Sequence, residues 1–305
     1  MGPRPSLIVA LLAIEVGGAC AGAVRGAPGA PAAPGPSAID AAFTARFREA
    51  EDLYQNGQVA QAAALFDGIA DTAVAPDSKA QAELVGKAMD RAVACYQELA
   101  NDQRSRPVPV AEGVPIPIQG VDADVVRAAE RARKHLGDDS PRATELGYVL
   151  GRIYYVYNRH DQALAAFAPI VERHPESELA CGAASLTLDI YNGRQDYALV
   201  ADTAQAFLRD ARLVCDDKQR ASFERLLAGA SFKLIEADAQ EGAEPGAVAA
   251  AYLAFADKFV GSELVCPAIH NASVSYRAAE RPADESRVRK LLLRRCSEWM
   301  KRKGS

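Results

Sequence analysis

An all-α fold of stacked antiparallel helical hairpins is the prediction, and three observations make it. Alanine dominates a 49% hydrophobic composition in which aromatics are only 7%, and alanine-rich helices pack closely where a sheet would want β-branched and aromatic residues. Apolar residues recur at helical spacing along most of residues 38–300. Short Gly- or Asn-containing breaks fall between successive stripes. The length, 305 residues, suits one extended array or two small domains.

The first hairpin is expected over about 38–72. Phe47, Ala50 and Leu53 form one stripe, Ala62, Leu65, Phe66 and Ile69 the other, with Asn56-Gly57 between. A long helix follows over about 77–101, carrying Leu84, Ala88, Ala92, Cys95 and Leu99 on one side. Residues 104–121 interrupt the pattern. Prolines at 107, 109, 115 and 117 remove amide donors and forbid helix. The segment reads as a loop between helices or as a projecting arm, and its Val and Ile residues need cover from somewhere. Helix resumes over 122–136 and closes at Gly137. Further pairs follow over about 140–175, 178–210, 216–256 and 266–300. Asn192-Gly193 is placed in the turn of the 178–210 pair, making that turn one residue longer. Pro245 suits a helix start. Val288, Leu291, Leu292, Cys296 and Trp299 are expected to line one final helix.

The stretch 146–175, LGYVLGRIYYVYNRHDQALAAFAPIVERHP, has Gly147, Leu150, Gly151, Tyr154, Ala163, Phe167 and Pro175 at the spacings of a tetratricopeptide repeat, and it resembles that family. Ala50, Gly57, Ala62 and Phe66 resemble a second copy. The segment SELVCPAIHNASVSY resembles a sub-group found in bacterial envelope proteins, although Phe259-Val260-Gly261-Ser262 lacks the proline of that group. The resemblance implies an α-solenoid whose repeats bury their faces only by stacking. It further implies that the inner helix of each pair lines a groove for a protein partner. Carried over to matching positions, the groove residues are Phe47, Glu51 and Tyr54 in the first pair and Glu145, Tyr148, Arg152 and Tyr155 in the best repeat. Tyrosine and arginine are favoured anchors. The other reading of these tyrosines is packing against the neighbouring repeat.

The N-terminus reads as a signal over 1–23: Arg4, the apolar run 7–14, then small residues. Gly17-Gly18-Ala19-Cys20 resembles a lipobox with Cys20 as the lipidated residue. Ala19-Cys20-Ala21 and Ala21-Gly22-Ala23 offer ordinary cleavage instead. Residues 24–37, rich in Ala, Pro and Gly, form a linker. The expected address is therefore the periplasm or an outer-membrane lipid anchor, with the array over 38–305. Six cysteines are present. In an antiparallel hairpin the start of the first helix lies beside the end of the second, so Cys181–Cys215 and Cys266–Cys296 are disulfide candidates, and Cys95 is left over.

Several classes find no support. The net charge of −5 disfavours nucleic acid. No run of about 20 apolar residues suggests a membrane span. No CxxC, HExxH, GxSxG or phosphate loop occurs, so no catalytic residue, metal or cofactor is expected. His160-Asp161 is read as a polar turn, and Asn271-Ala272-Ser273 as a sequon inside a helix. The basic residues of 287–303 form either a solvated cap or a surface for docking on acidic lipid. The leading expectation is a non-catalytic protein-binding scaffold of the cell envelope. The alternatives are a periplasmic small-molecule or glycan-binding protein, with the Pro-rich loop as a lid, and a cytoplasmic scaffold.

Overall fold

The computed structural model describes residues 38–72, 78–102, 114–137 and 140–303. The expected signal, Cys20, the linker and the first part of the Pro-rich segment lie outside them. The described residues form thirteen helices and no strand. These are α1 Ala38–Gln55, α2 Val59–Thr72, α3 Lys79–Asp102, α4 Val121–Leu136, α5 Pro141–Val156, α6 His160–Arg173 and α7 Ala180–Gly193. They continue as α8 Tyr197–Arg209, α9 Asp217–Gln240, α10 Pro245–Lys258, α11 Val265–Ala278, α12 Pro282–Arg295 and α13 Ser297–Lys303. Packing is sequential: each helix lies on the next, and α1 also meets α3, α5 meets α7 and α7 meets α9.

One turn geometry recurs within the pairs. Gly57, Asn158, Gln195, Gly242 and Glu280 each have positive φ, between 55° and 89°. In each case the following amide bonds a carbonyl five residues back: Gln58 to Leu53, Arg159 to Tyr154, Asp196 to Tyr191, Ala243 to Asp238 and Arg281 to Tyr276. Such a left-handed residue satisfies the last carbonyls of the first helix and reverses the chain in a few residues. Asn192 and Gly193 stay inside α7, and Gln195 takes the left-handed position. The α7–α8 turn is therefore no longer than its α5–α6 counterpart, against the expectation from sequence. The longer turn is the one between α9 and α10. There Pro245 stands at N1, and the Glu244 carboxylate accepts from the amides of Gly246 (2.8 Å) and Ala247 (2.6 Å). Asp216 and Gln219 close a reciprocal capping box at the start of α9, at 2.7 and 3.0 Å.

A second recurrence joins pair to pair. Ser177-Glu178-Leu179-Ala180-Cys181 and Ser262-Glu263-Leu264-Val265-Cys266 share four of five residues. Both serine hydroxyls accept from the leucine amide two residues on, at 3.3 and 3.2 Å. Both serine amides donate to the carbonyl three residues back, in His174 and Phe259. Each cysteine then sits in the first turn of a helix. The disulfides Cys181–Cys215 and Cys266–Cys296 both form, with Cα separations of 5.4 and 5.7 Å. Cys95 is buried in α3, outside both bridges. The last helix differs from expectation: α12 ends at Arg295, Cys296 caps it, and Trp299 lies on the separate α13.

The hairpin α5–α6 shows how small residues set the crossing. Ala163, Ala166, Phe167 and Ile170 form the buried stripe of α6. Gly147 lies under Ala166 and Ile170, and a methyl group at Gly151 would overlap the Phe167 ring. Phe167 is fully buried, so the ring has nowhere to retreat. Gly229, in α9, has open space where its Cβ would point. Gly151→Ala is expected to destabilise by about 1–3 kcal/mol through overpacking. Gly229→Ala should instead stabilise by roughly 0.5–1 kcal/mol, because a helical glycine only adds unfolded-chain entropy. Thermal melts of the two variants should shift in opposite directions.

The described end of the Pro-rich segment is clamped, not projecting. The Ile116 amide donates to the Tyr157 carbonyl at 2.9 Å. The Asn158 amide group bonds the Val114 carbonyl, and the Arg159 Nε bonds the Ile116 carbonyl, both at 3.3 Å. Ile116 and Ile118 pack on the core, so the cover they require comes from this chain.

Candidate binding surface

The predicted groove residues lie on α1 and α5, the first helices of their pairs, and most reach toward the first helix of another pair. Glu51 pairs with Arg91 of α3 at 2.8 Å, and the Tyr54 hydroxyl donates to Glu98 of α3 at 3.0 Å. Phe47 turns instead into its own pair, edge-on to Phe66 at 5.3 Å. On α5, Glu145 holds Arg142 at 2.6 Å, and Arg142 also reaches Asp90 of α3 at 3.1 Å. The Tyr155 hydroxyl donates to Asp189 of α7. Tyr148 lies against Gly182 of α7, where an added Cβ would sit 2.6 Å from its hydroxyl oxygen. These side chains therefore form a lateral seam running along α1 and α3 and along α5 and α7.

Packing explains the titration behaviour on this seam. Burial raises the Tyr155 hydroxyl above the ordinary tyrosine range, and its bond to Asp189 adds to the effect. Burial also raises Tyr148. His160, tilted against the Tyr155 ring at 6.3 Å, is lowered by burial first and by Arg194 second. His160 is the first residue of α6, and Asp161 pairs with Arg194 at 2.7 Å. This corner is a packed junction of α5, α6 and α7.

Arg152 differs from its neighbours. Its guanidinium lies 5.9 Å over the Tyr148 ring and has no carboxylate partner among the described residues. A half-buried cation on an aromatic face is positioned to receive an acidic or carbonyl group from outside. Residue type and position nominate Arg152 together with six others; only the distances separate it from those already engaged.

Two features were not foreseen. Asp67, buried in α2, is held by Arg127 and Arg131 of α4 and by the Tyr96 hydroxyl of α3 at 3.3 Å. The Tyr157 hydroxyl donates to the buried Asp122 at 2.8 Å. Both tie α4 to its neighbours, and the residues are too far apart in sequence to be paired by inspection. An open hollow of about 460 Å³ lies between α4, α5 and α6, lined in part by Glu130, Arg133, Lys134, Tyr154 and Gln162. Among the described residues no cluster of His, Cys, Asp and Glu suits a metal ion. No helix there is long and apolar enough to cross a membrane. No family model matches the sequence, and no curated protein matches it.

Proposed function

We propose that the chain is a non-catalytic scaffold of the bacterial cell envelope, built as a tetratricopeptide-like α-solenoid, that binds a protein partner on the wall formed by α1, α3, α5 and α7. The observation that carries this reading is the recurrence of one turn with one pair-to-pair packing order. A repeated unit stacked on its neighbours presents its first helices side by side, and a row of fixed side chains results. The seam residues Glu51, Tyr54, Tyr155 and Asp189 keep that row rigid, and rigidity lowers the cost of binding. Tyr148 and Arg152 are the contact residues. Export is supported by the leader-like composition of residues 1–23 and by two disulfides, which persist in oxidising compartments. Cys20 is the proposed lipid attachment point.

Cross-linking capture from the envelope fraction tests the wall. The wild-type chain should retain a partner that the variant Arg152→Glu loses by about 30-fold, the effect of a hot-spot residue, at unchanged melting temperature. Equal capture by both proteins would remove the wall from consideration. Labelling with a fatty-acid analogue should mark the wild type and leave Cys20→Ala unmarked.

A further inference from the structure

The last two helices are charged opposite to the rest. Residues 281–303 hold nine Lys and Arg against three Asp and Glu, a net of +6 in a chain totalling −5, so the remainder carries −11. The carboxylates at the start of α12 are committed. Asp284 pairs with Arg281 at 2.6 Å and Arg287 at 2.9 Å, and Glu285 with Arg277 at 2.6 Å. Farther along, Arg295 reaches Asp257 at 3.5 Å, and Lys301 pairs with Glu298 at 2.8 Å. Lys290 and Arg294 are exposed and have no carboxylate partner among the described residues. Leu293, between them, is 60% exposed. These three share the face of α12 opposite Val288 and Leu292, which are buried in the core.

We infer that this face docks on a membrane surface of anionic phospholipid headgroups. Two long cations flanking an exposed leucine are the pattern of an interfacial helix, in which charge meets phosphate and the apolar residue enters the headgroup layer. Both cations stand exposed on an outward helix face, which suits a fluid array of phosphates better than one fixed ligand. A second copy of the chain is the rival occupant. Its body is acidic overall, so the vesicle and salt arms of the test separate the two occupants. The same acidic body is repelled by an anionic surface, so contact is made through α12. This docking does not rest on the partner wall, which lies on other helices.

Vesicle sedimentation tests it, using the full chain with Cys20→Ala so that no acyl chain is attached. Vesicles of phosphatidylcholine with phosphatidylglycerol should bind the protein, and vesicles of phosphatidylcholine alone should not. Binding should weaken as salt is added. Lys290→Ser with Arg294→Ser should weaken it by about 25-fold, roughly five-fold for each cation, and Leu293→Ser should weaken it further. Equal binding to both vesicle types, or unchanged binding by the double variant, would overturn the inference. So would salt-sensitive self-association without vesicles that the double variant abolishes, because a second copy would then occupy the face.

Discussion

Ala163→Glu should cost the protein at least about 3 kcal/mol, the penalty of an unpaired charge forced into a packed interior. Ala163 is fully buried in the α6 stripe that faces the glycines of α5. A glutamate there has two escapes, and both are closed. It cannot swing outward, because Ala166, Phe167 and Ile170 occupy the same face. It cannot stay and ionise without a cation beside it. The hairpin must open, and because each hairpin is the packing partner of the next, α4 and α7 lose their cover as well. For a chain of this size that corresponds to a fall in melting temperature of roughly 6–12 °C. Calorimetry or circular dichroism reads it directly. A variant that melts with the wild type would show that α6 does not press on α5.

Loss of the disulfides ranks next. Cys181–Cys215 spans 34 residues and Cys266–Cys296 spans 30. Closing loops of that length restricts the unfolded chain enough to contribute about 3–4 kcal/mol each on the chain-entropy account. Each bridge closes one turn-linked unit: the first joins the start of α7 to the residues after α8, the second joins the start of α11 to the end of α12. Replacing either pair by serine should lower the midpoint of denaturant unfolding, and the two losses should add, because the bridges belong to different core clusters. Alkylation of the chain from intact cells reports the compartment at the same time. Four protected cysteines would accord with export, and free thiols at 181, 215, 266 and 296 would place the chain in a reducing environment.

The helices were legible because burial writes its period into the sequence. Phe47, Ala50 and Leu53 or Ala163, Phe167 and Ile170 can be assigned a face without coordinates. The cysteine pairs were legible for the same reason: once two antiparallel helices are drawn, their ends meet. The turns were less so. Gln195 and Glu280 adopt a left-handed backbone that glycine or asparagine usually marks, and the nearby Asn192-Gly193 drew attention to the wrong residues. The boundary between α12 and α13 was hidden because apolar spacing runs on through Cys296 to Trp299 while the backbone breaks. On the candidate surface, residue type and position could nominate Tyr54, Tyr148, Arg152 and Tyr155 together. Only distances reveal that Tyr54 and Tyr155 are bound to Glu98 and Asp189 while Arg152 is not.

Helix α9 ends one interior and begins another. Leu227 belongs to the cluster that runs back to Ala50, whereas the adjacent Ala228 belongs to the one that runs forward to Cys296. One sulfur bridge lies on either side, and neither crosses. The joint is spanned by the backbone of α9 and by Phe259, which packs against both clusters, so a protease cut within α9 would leave two pieces, each still carrying its own staple.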